Sequence, residues 1–120
     1  MALQGGAAKQ KTAMRLVREA VEILGPSPDI LDTRAVVFIA NEQYADAIED
    51  LELSVTDNPT AAKYFHKTIA HLGAGQNNDA LVSWKEALRL GLTRESIGRM
   101  ERERFDNVKS QIDELQTTRQ

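Results

Sequence analysis

The residues in this chain best suited to chemistry are two histidines, His66 and His71, and a scatter of carboxylates. Histidine titrates near neutral pH and serves as general base, proton carrier or metal ligand. Two histidines that share a metal on one helix sit three or four residues apart. His66 and His71 are five apart, about 140° round a helix, so they diverge. Neither has a nucleophile or acid partner at a recognisable spacing. There is no cysteine, hence no thiolate nucleophile, disulfide or Cys-bound zinc, and no His-Glu-x-x-His pair. No catalytic residue, metal or cofactor is expected. His71 reads as a plug between helices, His66 as a possible surface contact.

Three other clusters invite a functional reading and have a plainer one. Gly73-Ala74-Gly75 is glycine-rich but follows a helical pattern and lacks the Lys-Ser/Thr of a phosphate loop, so it reads as a turn. Arg99, Arg102 and Arg104 alternate with Glu101 and Glu103, the pattern of an exposed helix with local ion pairs rather than of a phosphate-binding stripe. Asp46, Glu49, Asp50, Glu52 and Asp57 make one segment acidic; they read as a solvated outer face, with docking to a basic partner as the alternative.

Composition narrows the elements that must position these groups. The chain has 120 residues, 28% charged and 42% hydrophobic, with a formal net charge of −3 and aromatics at only 5%. Abundant Ala and Leu favour helix. The absence of a basic footprint argues against a nucleic-acid partner. No run approaches the roughly 20 apolar residues of a membrane helix, so no membrane insertion is expected; the cellular compartment is left open.

The chain repeats itself. Ala13, Ala47 and Ala80 lie 34 and then 33 residues apart, and the columns beside them match: Met14, Ile48, Leu81; Val17, Leu51, Trp84; Ala20, Ser54, Ala87; Val21, Val55, Leu88. Each block places small and large apolar residues on one helical face. The segment before the last two blocks also aligns, with Leu31 on Tyr64, Ala35 on Thr68 and Phe38 on His71. Gly25-Pro26-Ser27-Pro28, Asn58-Pro59 and Gly73-Ala74-Gly75 punctuate. The pattern predicts helices over 9–24, 28–41, 44–57, 60–74 and 77–90, a short turn near 94–98, and a last helix over 100–116. No period-two strand pattern is present.

On Leu31, Ala35, Phe38, Ala47, Leu51, Ser54 and Pro59, and then Tyr64, His71, Gly75, Ala80, Trp84 and Ala87, the chain resembles the tetratricopeptide repeats. The resemblance implies an all-α fold, a right-handed superhelix of antiparallel helix pairs. Its units would be a flexible stretch 1–8, the second helix of a preceding repeat at 9–25, repeats at 28–59 and 60–92, and a capping helix within 93–120. The half repeat suggests a longer, bacterial parent with more repeats. Three positions depart from the family pattern: Glu42 where a turn glycine is usual, and Lys67 and Thr68 where Leu and a small residue are usual.

The implied function is a protein-interaction module that takes a protein or peptide into a concave groove and catalyses nothing. The candidate lining is Asp32, Val36, Ile39, Phe65, His66, Ile69 and Leu72; the plainer reading of Phe65, Ile69 and Leu72 is packing between helices. Asp32, Val36, His66 and Ala62 replace the Lys, Arg and Asn that relatives use on chaperone carboxylates, so no affinity for such tails is expected. The alternative is a structural segment that forms homo-oligomers through Met14, Val17, Val21 and Leu24, the face of the first helix that has no partner helix in sequence.

Overall fold

In the computed structural model, which describes the backbone of residues 2–118 and side chains from Ala8 to Thr117, the described residues are helical throughout, without a strand. The helices are α1 (Ala2–Leu24), α2 (Pro28–Ala40), α3 (Tyr44–Asp57), α4 (Ala61–Gly73), α5 (Asn77–Arg89) and α6 (Arg102–Thr118), with 3-10 turns at Arg94–Ser96 and Arg99–Glu101. Five of the predicted helices begin or end within two residues of their expected bounds. The exception is α1, expected from residue 9 and helical from Ala2. Adding residues to an existing helix costs far less than nucleating one, and Ala-rich sequence extends readily even past Gly5 and Gly6.

The helix starts use the same device twice. Ser27 Oγ accepts from the Ile30 amide and Thr60 Oγ1 from the Lys63 amide, 33 residues on. Each satisfies one of the amides that a helix N-terminus leaves unpaired. Pro28 fills the first helical position, where its missing N–H costs nothing.

The stops repeat as well. At the end of α2 the Gln43 amide reaches back to Phe38 O and the Glu42 amide to Ile39 O; at the end of α4 Gln76 reaches His71 O and Gly75 reaches Leu72 O. These are Schellman stops, which need a left-handed residue at one position. Gly75 supplies it at φ 76° and Glu42 at φ 60°. The departure from glycine read in the sequence is therefore a side chain forced into a region that glycine occupies freely.

Helices pack in order: α1 on α2, α2 on α3, α3 on α4 and α4 on α5, with α2 also touching α4. Ala35, Ala47, Ala70, Ala80 and Ala87 have no exposure and let helices approach closely. One apolar core joins Met14, Val17, Phe38, Ile39 and Leu51 across α1–α3. A second joins Phe65, Trp84, Leu92 and Ile97 to Phe105, Val108 and Ile112 of α6. The last helix thus folds back over the second pair. Its Phe105 ring lies 5.9 Å from Phe65 and 5.6 Å from Trp84, both tilted contacts of the kind aromatic pairs favour.

Polar pairs bind neighbouring helices to one another. Arg34 of α2 holds Asp50 of α3 through two bonds of 2.7 and 2.8 Å, a bidentate fork. Asp50 is buried, so the acidic segment is not wholly a solvated face. Ser54 Oγ donates to Pro28 O. Lys63 buries its stem and donates to Asn58 O at 2.9 Å while lying 3.2 Å from Asp29. Lys67, another departure from pattern, lays its ammonium 5.6 Å from the centre of the Tyr64 ring.

Candidate functional site

His66 joins three segments of the chain. It is buried on α4, its Nδ1–H donating to Asp32 of α2 at 2.8 Å and its Nε2–H to Glu101, just before α6, at 2.7 Å. Ionised carboxylates only accept, so both ring nitrogens must carry protons to make both bonds. The ring is therefore an imidazolium. Burial alone would lower its pKa, but the hydrogen bonds and charges of Asp32 and Glu101 outweigh that and raise it to about 9. The same bond to His66 lowers the Glu101 pKa, helped by the charges of His66 and Arg104 against partial burial. With no lone pair left, this histidine is no general base. It is a clasp that ties α2, α4 and the approach to α6.

Beside the clasp a trough runs between α4 and α6. Its first stretch, about 310 Å³, has Ile69, Leu72 and Gly73 on one side and Arg104, Asn107, Val108 and Gln111 on the other, with Tyr44 closing one end. A second stretch of about 300 Å³ continues past the shared residues Leu72 and Gln111 to Asn77, Glu114 and Leu115. From Arg104 to Leu115 along α6 the trough is roughly 16 Å long. That length takes about five residues of extended chain. Its lining mixes apolar side chains (Ile69, Leu72, Val108, Leu115) with polar ones in near-equal share, and α6 sets two amides along it at Asn107 and Gln111, hydrogen-bonding groups of the kind an extended backbone needs. Gly73 shapes the closed end: a Cβ there would run into the Tyr44 ring.

The chain matches no protein-family model, and no curated protein matches its sequence. Among the described residues no group of three or more His, Asp or Glu side chains could hold a metal ion, and no helix is long and apolar enough to cross a membrane.

The structure separates the residues that the sequence grouped into one groove. Ile69 and Leu72 line the trough. Phe65 does not: it has no exposure, sealed beneath Phe105. His66 is buried in the clasp, and Asp32 is its partner there. Ile39 is buried in the first core, and Val36 is half-buried on α2, away from the residues that line the trough. The trough that Ile69 and Leu72 line lies between α4 and α6, where the last helix packs its apolar stripe over Phe65. Asn107 and Gln111 went unnoticed in the sequence, and Arg104 was read only as part of an exposed helix with local ion pairs. The available signal was their own spacing of three and four, a polar stripe beside the apolar one at Phe105, Val108 and Ile112.

The self-association residues need a correction too. Met14 and Val17, each 7% exposed, lie buried against α2, and Val21 is half-buried; only Leu24, 71% exposed, is open. The column containing Val17, Leu51 and Trp84 fills the space between successive helices, so it is never a free face.

Proposed function

We propose that the chain is a protein-interaction module of the tetratricopeptide kind, which holds an extended segment of a partner in the trough between α4 and α6 and performs no catalysis. The single observation that carries this reading is the trough itself: two adjoining stretches that share Leu72 and Gln111, with mixed apolar and polar lining, two amides along it, and together long enough for about five extended residues. Columns at 33 and 34 residues, and the shared Schellman stops at Glu42 and Gly75, support the repeat assignment. The occupant is a peptide with an apolar anchor near Leu72 and backbone groups facing Asn107 and Gln111.

A library of displayed random peptides, panned against the chain, tests the reading. Selected peptides should share one apolar anchor. Their binding should shift the amide resonances of α4 and α6 and be lost in Leu72→Glu, with the helical circular dichroism of that variant intact. Peptides that bind Leu72→Glu as well as the parent, or that shift resonances on other helices only, would overturn it.

A further inference from the structure

We propose that α6 is a strap that lifts from the α4–α5 pair about a hinge at residues 98–100, that the bond from Glu101 to His66 is its catch, and that the trough exists only while the strap is closed. The last part rests on the trough being the binding site; the strap itself does not. The hold on α6 is narrow. Of its described side chains Phe105, Val108 and Ile112 are buried, Arg102 and Leu115 partly so, and the rest are exposed. The buried stripe meets one surface, built around Phe65 and Trp84, whereas α3 and α4 have helices packed on two sides. A helix of 17 residues is marginal alone in water, so α6 away from that surface unravels.

The segment before α6 has two fixed points with a free stretch between them. Ile97 is buried in the second core, and Glu101 is held by His66 at 2.7 Å. Between them Gly98, Arg99 and Met100 are exposed, Met100 at 96%. Apart from its chain neighbours, no atom lies within 4 Å of where a Cβ on Gly98 would sit. Hinges are a few such residues at element ends, which absorb the change in φ and ψ. The ion pair of Arg94 with Asp106, 3.0 Å, crosses this point, but both side chains are about half exposed and water replaces such a pair at little cost. The bond to His66 is charge-assisted and joins a buried ring that Asp32 holds from the other side.

Closure also carries a penalty at the same place. Arg102, the residue after the catch, buries its Nε without a hydrogen-bond partner. An unmatched donor disfavours the state that buries it, and lifting the strap gives it water. The catch favours the closed position and its neighbour opposes it, as a two-position element requires. Arg104, Asn107, Val108 and Gln111 form one wall of the trough, so a lifted strap leaves only the α4 side. A segment bound in the trough therefore holds the strap down, and by linkage a closed strap favours the segment.

Hydrogen exchange of the full chain, followed by NMR, tests the strap. Amides in the body of α6 should exchange as one group, roughly tenfold or more faster than those of α4. Glu101→Ala should speed that group roughly tenfold. Arg102→Met, which keeps a long stem and removes the unmatched donor, should slow it roughly threefold or more. A peptide selected on the trough, at about a hundred times its Kd, should slow it roughly a hundredfold, because the open form lacks a wall. Body amides of α6 that exchange at the α4 rate would overturn the strap, as would a group rate indifferent to Glu101→Ala or raised by Arg102→Met. A peptide that binds the trough and leaves the α6 rate unchanged would overturn the control of the trough alone. If panning yields no trough peptide, the trough reading falls and that control with it, while the two variants still decide the strap. Both positions are partly exposed, and circular dichroism confirms that each variant is folded.

Discussion

Glu42 shows how one residue carries information from two levels. Its side chain is exposed and makes no hydrogen bond, while its backbone sits at φ 60° to complete the stop of α2. A side chain in that region costs about 1–2 kcal/mol through the contact of Cβ with the backbone. Gly75 fills the equivalent place without that cost. Glu42→Gly should therefore stabilise the chain by about 0.5–1 kcal/mol, after the greater freedom of glycine in the unfolded state is subtracted. Gly75→Ala should destabilise it by about 1 kcal/mol. Urea midpoints with an unchanged slope would check both. A glycine in place of Glu42 that lowers the midpoint would mean that the side chain does something the exposed position does not reveal. The sequence already marked Glu42 as misplaced, because a repeat alignment compares like positions. It could not mark Asp50, whose partner Arg34 is 16 residues away on another helix.

The clasp belongs to the scale of elements, since Asp32, His66 and Glu101 each come from a different one. The folded-state pKa of His66 is about 9 against an ordinary 6.5. A raised pKa contributes stability that is complete below pH 6.5, declines as pH rises, and is lost above about 9. The difference corresponds to roughly 3 kcal/mol. Glu101 acts in the other direction: its pKa is lowered by the bond to His66, so its share is present above its ordinary value of 4.5 and lost as pH falls through the lower folded value. The chain should therefore lose urea resistance between pH 6.5 and 9, and His66→Gln should abolish most of that slope. Matching slopes in the two proteins would show that the imidazole does not hold the charge. Apart from the start of α1, sequence spacing set the helices to within a residue or two because capping and turn chemistry are local. The clasp and the trough depend on where α6 lands, and that follows from the fit of Phe105 between Phe65 and Trp84, which no periodicity encodes.

At the scale of the whole molecule, stability is distributed along a stack. Its radius of gyration is 14.5 Å, somewhat above the roughly 13.6 Å of a compact domain of this length, as stacked helices require. A helix in a stack is held by its neighbours, so protection against hydrogen exchange should follow neighbour number. α4 touches α2, α3 and α5 and lies under Phe105, whereas α1 packs chiefly on α2. Amides of α3 and α4 should thus exchange near the limit of global unfolding, and those of α1 before Gln10 should exchange first. Exchange followed by mass spectrometry of peptides checks this order. Amides of α1 before Gln10 that are protected as well as those of α4 would mean that protection does not follow neighbours along the stack.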